Sequence, residues 1–251
     1  MSAPVFLAAP EQIVGIRAGD SYRFSGPEAR HAAVVQRRGP GATIELVDGA
    51  GTRLRATITE VIGAELFLQV VDRAVENKPV PELTIVQGLI KSGAQQAVAS
   101  MTETGVDVIV PWASQRSIAK WTGPRAEKSR EKWQVAAREA AKQARRAYVP
   151  EIGDMISSAE LFAHIEREVE AGTQVLVAHE AAEKGPREFA KLANAPRIWC
   201  VIGPEGGISG EEVGQLSAAG AQAVSLGQHV LRSVTAGTVA AALIRAVTAS
   251  Q

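Results

Sequence analysis

The sequence predicts an α/β protein in two parts: a small β-rich part at residues 1–73 and a larger part at 83–251 with a largely parallel sheet. Three observations predict it. Alternating apolar and polar residues broken by turn signals fill the first part. AVENKPVPE at 74–82 carries prolines and charges with little apolar content, and reads as an interdomain linker. Beyond it, short apolar runs alternate with helical segments, as in strands covered on both faces.

In the first part a short helix opens at Pro27, with Ala29–Gln36 following the proline. Thr43–Val47 alternates, DGAG at 48–51 is a hairpin signal, and Leu54–Val61 alternates again. Gly63-Ala64 makes a second turn before a strand at Leu66–Val71. In the second part the strand candidates are 83–89, 106–110, 174–178, 197–202 and 222–226. Helices are expected at Ala94–Thr104, over a long basic stretch at 125–147, and from Ser233 to Thr248.

Composition is ordinary for a globular protein, with 46% hydrophobic and 22% charged residues in a chain of 251. Cys200 is the only cysteine, so an intrachain disulfide is excluded; it sits in an apolar strand and reads as a buried thiol. The N-terminus lacks a basic region followed by an apolar run, and no stretch reaches about 18 apolar residues. The expected location is therefore the cytoplasm. Four scattered histidines, His31, His164, His179 and His229, give no metal-ligand spacing, and no metal is expected. Net charge is zero, yet from Arg116 to Arg146 ten basic residues stand against three acidic ones, a local +7. Such a stripe attracts a polyanion, or is simply a solvated helix face.

The chemistry concentrates in three strand-end segments. VIGPEGGISGEEV at 201–213 follows a strand, and Ser209 with Glu212 has capping-box spacing for a helix. Its glycines permit sharp turns and close approach to a ligand, or make a plain turn. It lacks the Gly-Lys-Ser/Thr of a phosphate loop, and Glu205 would repel a phosphate. In SLGQHVLRSVTAGTVAAALI at 225–244, Arg232 is a lone cation beside glycines, placed for a substrate carbonyl or phosphate, or merely on a helix surface. VLVAHEAA at 175–182 sets His179 and Glu180 past a strand end.

Taken in order, these segments resemble the ribosomal RNA small subunit methyltransferase E family. The resemblance covers nearly the whole chain. KSGAQQAVASMTETGVDVIVPWASQRS at 91–117 is similar to the family's Lys…Glu-x-Gly-Val…Pro…Arg-Ser region. Residues 133–150 match its helix at Trp133, Ala140, Gln143, Arg146 and Pro150. The chain departs from the pattern at Ser233-Val234, where the family often has Thr-Glu, and at Thr104, the usual site of a leucine. A glutamate at the former position is then not essential here.

The resemblance implies a SPOUT-type C-terminal domain with a trefoil knot, a small PUA-like β-barrel at the N-terminus, and a homodimer. It implies S-adenosylmethionine-dependent methylation of N3 of a uridine in 16S rRNA of the 30S subunit. Val177, Glu180, Ile202, Gly203, Pro204, Glu205, Gly206, Leu226, Gly227, Val230, Leu231 and Thr235 are then the expected cofactor-binding residues. Arg232 is the catalytic candidate, stabilising charge on the uracil. RNA phosphates are expected on Arg23, Arg30, His31, Arg37, Arg116, Lys142, Gln143, Arg145 and Arg146. Two other readings stay open: a SPOUT enzyme with another RNA target, and a non-catalytic RNA-binding module for ribosome assembly.

Overall fold

The computed structural model describes residues 3–248, which divide into two compact units. The first comprises residues up to Lys78 together with Ala141–Val149; the second comprises Pro79–Ala140 and Pro150 onward. The segment 141–149 thus belongs with the N-terminal unit, whereas the sequence reading placed it in the second part.

The first unit holds β1 (Val5–Leu7), α1 (Pro10–Ile13), β2 (Ser21–Phe24), α2 (Pro27–Arg30), β3 (Thr43–Val47), β4 (Thr52–Ile62) and β5 (Glu65–Val75). A π-helical turn, His31–Val35, continues α2. The sheet runs β1-β3-β4-β5-β2, antiparallel except for β1 beside β3. Alternation explains its core: Leu54, Ala56 and Ile58 of β4 face inward with Leu66, Leu68 and Val70 of β5. Segment 141–149 is held by main-chain bridges from Tyr148 to Gly49 and Ala50. Arg53 adds a hydrogen bond to the Arg145 carbonyl (2.9 Å) while pairing with Glu45 (2.7 Å) and Glu76 (2.8 Å).

The second unit contains β6 (Glu82–Gly88), α3 (Ala94–Glu103), β7 (Val108–Ala113), α4 (Pro124–Gln143, whose last turn falls in the first unit), β8 (Glu151–Ile152) and β9 (Ile156–Ser157). There follow α5 (Ser158–Glu170), β10 (Gln174–Ala178), β11 (Arg197–Ile202), α6 (Gly210–Ala218), β12 (Gln222–Val224) and α7 (Ser233–Thr248). Every strand pair is parallel, in the order β12-β10-β11-β6-β7-β8, with β9 also on β7. Leu161, Ile165 and Leu216 of α5 and α6 pack on Val86, Val177 and Val201 of one sheet face. On the other, α7 packs on α3, β6 and β11. Cys200 is fully buried, and burial pushes its thiol up to about 12, so it carries no thiolate chemistry.

Helix α4 ends at Gln143, not at 147. Arg146 N donates to Ala141 O (2.9 Å) and Arg145 N to Lys142 O (3.1 Å), with Arg145 at φ 57°. This is a Schellman termination with arginine where glycine is usual, so the sequence carries no stop signal.

At the amino ends of the strands, Arg245 of α7 donates to the carbonyls of Pro81 (2.8 Å) and Gly105 and pairs with Asp107. Asp107, 5% exposed in its side chain, also accepts Leu83 N (3.0 Å). Arg245→Met removes the cation paired with that buried carboxylate. It should destabilise the protein by about 3 kcal/mol, and lower Tm by roughly 10 °C in calorimetry.

Candidate functional site

The carboxyl ends of β6, β10 and β11 and the loop after β12 meet at one place. Open parallel sheets bind ligands there, where the strand order reverses. The glycine loop leaves β11 at Ile202. Pro204 O accepts Gly207 N (2.9 Å), closing a turn over Glu205 and Gly206, and Gly207 takes a left-handed φ of 71° as the chain leaves it. Ser209 then caps α6 reciprocally with Glu212, as its spacing predicts.

Glu212, 1% exposed, anchors more than its own helix. Its carboxylate accepts Gln115 N (2.8 Å), Ser158 Oγ (2.7 Å) and Ser209 N (3.1 Å). That fixes the loop after β7, from which Arg116 Nη1 donates to Gly206 O (3.2 Å). Glu205 has a structural partner as well: its Oε1 accepts the main-chain N–H of Lys91 (2.7 Å), tying the glycine loop to the segment between β6 and α3.

The segment before α7 closes the other side. Ser233 is buried and its Oγ donates to Gly203 O, while Gln87 Nε2 donates to Ser233 Oγ (3.0 Å). There is no slack here. A Cβ on Gly88 would lie 2.6 Å from Pro204 N, and one on Gly93 would lie 3.0 Å from Val234 Cγ2. Arg232 is exposed; its carbonyl accepts Thr235 N (2.8 Å) and Ala236 N (2.9 Å), placing it at the N-terminus of α7.

These segments enclose a cavity of about 640 Å³. Of the residues singled out from sequence, Glu180, Ile202, Gly203, Pro204, Glu205, Gly206, Val230, Leu231 and Arg232 line it. Leu226 and Gly227 line an adjoining recess of about 100 Å³ that shares Ala178, Glu180, Val230, Leu231 and Ala236 with it.

Two expected cofactor residues lie elsewhere. Val177 is 1% exposed in the sheet core, because alternation turns it away from the site; its neighbour Ala178 lines the cavity. Thr235 is exposed and lines neither space; the hydroxyl-bearing residues at the cavity are Ser92 and Ser233. The expected set lacked Ser92, Ala178, Gly207, Ile208, Ser233, Val234 and Ala236, and it lacked Gln87 beneath them. A polar residue inside the apolar run LTIVQGL was the available signal for Gln87.

The basic residues distribute differently from expectation. Arg116 stands beside the glycine loop in the second unit. Arg23, Arg30, His31, Arg37, Gln143, Arg145 and Arg146 all belong to the first unit. Arg30, His31, Arg37, Gln143 and Arg145 are exposed. Arg23 is exposed too, but Glu65 holds it at 2.6 Å; the hydrogen bond raises the guanidinium pKa and lowers that of the carboxyl. Lys142 is corrected: its side chain is 8% exposed and pairs with Glu28 at 2.8 Å, so its charge does not face solvent. That pair instead sets the end of α4 beside α2, bringing Arg30 and the 143–146 segment onto neighbouring elements.

Among the described residues no cluster of three or more His, Cys, Asp or Glu is placed to hold a metal, and no helix is long and apolar enough to cross a membrane.

Known proteins place this architecture. The family model of the RNA methyltransferase domain matches residues 76–245. The ribosomal RNA small subunit methyltransferase E of Mycobacterium tuberculosis is 38% identical over 216 residues, covering 86% of this chain and 82% of that protein. The protein of the same name from Bacillus subtilis is 27% identical over 229 residues, covering 88% of each. The crystal structure of the Neisseria gonorrhoeae protein of that name, bound to S-adenosyl methionine, superposes with a TM-score of 0.81 over 98% of both chains at 24% identity. With its strand-end cavity, its glycine loop and this similarity along most of its length, the chain belongs to the ribosomal RNA small subunit methyltransferase E family.

Proposed function

We propose that this protein transfers the methyl group of S-adenosylmethionine to N3 of a uridine in the 16S rRNA of the small ribosomal subunit. The observation that carries the reading is the cavity of about 640 Å³ at the carboxyl ends of the parallel strands. Its size lies within the roughly 300–1,000 Å³ of pockets that enclose small ligands. Ile202, Ile208, Leu231 and Ala236 offer apolar surface to an adenine, and the glycine loop offers main-chain groups. The carboxylates of Glu180 and Glu205 on its wall suit a sulfonium cation and would repel a phosphate. When bound, S-adenosylmethionine supplies an electrophilic methyl carbon.

The chain's own residues supply position and charge. Arg232 is the cation on the cavity wall, and its place there fits a uracil carbonyl oxygen. There it would stabilise the negative charge left as N3 loses its proton. N3 is blocked in a base pair, so the target uridine is unpaired or extruded when it enters. The exposed Arg30, Arg37 and Arg145 of the first unit, with Arg116 of the second, would hold phosphates.

The finer architecture belongs to the same reading. We assign the C-terminal unit to the SPOUT class, with a trefoil knot formed where the 225–233 segment passes the glycine loop. Support comes from the Ser225 N–Lys184 O bond (2.7 Å) and the Ser233–Gly203 contact, which hold that segment against two other loops. We assign the five-stranded unit as a PUA-like barrel for RNA, with residues 1–73 and 83–251 as the two domains except that segment 141–149 goes with the first. The active form is a homodimer working in the cytoplasm.

The test is methylation of 30S subunits lacking the modification, with labelled S-adenosylmethionine and nucleoside mass spectrometry. N3-methyluridine in 16S rRNA is expected; another nucleoside would move the target, and no incorporation would reject catalysis. In the same assay Arg232→Ala should lower the single-turnover rate by about 10²–10³-fold while leaving the cofactor Kd within a few-fold. A full rate would remove Arg232 from the chemistry. Arg145→Gly separates stability from binding. It relieves a left-handed arginine, so Tm should hold or rise by a few degrees. Affinity for 16S rRNA should fall, with the salt slope reduced by about one. Unchanged binding across salt would take Arg145 out of the interface.

A further inference from the structure

The C-terminal half of β6 carries a polar side chain with no role in the cavity wall. Gln87 is 0% exposed in a strand whose other central residues are apolar or threonine. Its Nε2 uses both hydrogens, one to Ser233 Oγ (3.0 Å) and one to Gly88 O (3.1 Å). Its Oε1 has no partner among the described residues. Turning the amide over would not help. It would set Oε1 against the Gly88 carbonyl oxygen, and it would draw the single hydrogen of Ser233 away from Gly203. An orphaned acceptor in a core is a standing cost, retained where the rest of the group does something specific.

The direction of the bonds says what that is. Because Gln87 donates to Ser233 Oγ, the hydroxyl must send its own hydrogen onward, and it goes to Gly203 O. Gly203 is the first residue of the glycine loop, and Ser233 follows Arg232 directly. A buried amide thus fixes the relative placement of the loop and of the cationic residue on the cavity wall. Gln87 reaches neither ligand nor cavity itself.

We propose that Gln87 is a positioning residue for the methyl-donor site, acting through Ser233 to lock Gly203 and Arg232 in register. This rests on the methyltransferase reading above. The relay is neutral throughout, so it orders the loop without adding charge beside a cationic ligand.

The experiment is a double-variant cycle on the full chain, with S-adenosylmethionine binding followed by calorimetry well below each variant's Tm. Gln87→Met keeps the length of the side chain and removes its donors; Ser233→Ala removes the hydroxyl. Each should weaken Kd about tenfold, the factor expected when one buried hydrogen bond is lost. The double variant should be no weaker than the worse single, because the two groups form one relay. Asp107→Asn serves as control: it lowers Tm from the opposite end of the sheet and should leave Kd unchanged. An unchanged Kd in Gln87→Met, or single losses that multiply, would overturn the role. A Kd that weakens in Asp107→Asn in step with its Tm would also overturn it, showing general loosening. A wild-type chain that bound no S-adenosylmethionine would overturn the methyltransferase reading itself, and the role with it.

Discussion

The site depends on how closely the end of β6 approaches the glycine loop after β11. The two strands pair in register through Gln87 and Ile202, so the residues following each must share one space. Only a residue without a side chain fits at 88, where a Cβ would meet the main chain of Pro204 at 2.6 Å. The proline limits the loop's first torsion, Glu205 ties it back to Lys91, and Ser233 holds it from the α7 side. A loop so held keeps its shape before any ligand arrives. Methyl transfer needs this, since small errors in alignment cost large factors in rate.

The regular elements were readable because their signals are local. The hairpin at DGAG, the proline opening α2 and the Ser209–Glu212 box all stand in the structure. The parallel strands were readable as apolar runs, which is what burial on both faces demands. What stayed hidden depends on contacts distant in sequence. Ser233 bonds Gln87 across 146 positions, and nothing near Gln87 announces it. Val177 and Thr235 were one position from the residues that line the cavity, Ala178 and Ala236. Strand alternation and helix phase decide such choices, and neither is fixed by a motif. The short strands β1 and β2, three and four residues long, have too few positions for a period to register.

The basic stretch shows the same limit from the side of charge. Counting gave +7 between Arg116 and Arg146, as if one helix face carried it. In the structure the stretch divides: Arg130 donates to the carbonyls of Ile152 and Gly153, Lys142 is enclosed with Glu28, and Arg145 stands in the turn beyond α4. Lys142 acts as a staple rather than as an exposed charge, because its pair with Glu28 sets the two arginine-bearing segments side by side. The left-handed arginine is a local strain of about 1–3 kcal/mol. Glycine would relieve it, so the strain is consistent with a demand for charge at that spot.

The two ends of the parallel sheet handle buried polarity differently. At the amino ends an ion pair, Asp107 with Arg245, clamps α7 to the strands. At the carboxyl ends the equivalent fastening is made by an amide, a hydroxyl and a carbonyl. On the methyl-transfer reading this difference has a reason. The donor is a cation that becomes neutral as the methyl leaves, so a free negative charge beside it stabilises the reactant more than the transition state and opposes the reaction. A neutral relay avoids this. Glu205 follows the same logic, since the main-chain N–H of Lys91 draws on its carboxylate and so tempers its field toward the cavity. Arg232, on the same cavity wall, carries the opposite sign, which on the proposed mechanism suits the negative charge that develops on the base. The relay thus fastens the loop without adding to the charge of Glu180 and Glu205, whose carboxylates on the cavity wall favour holding the cation over discharging it.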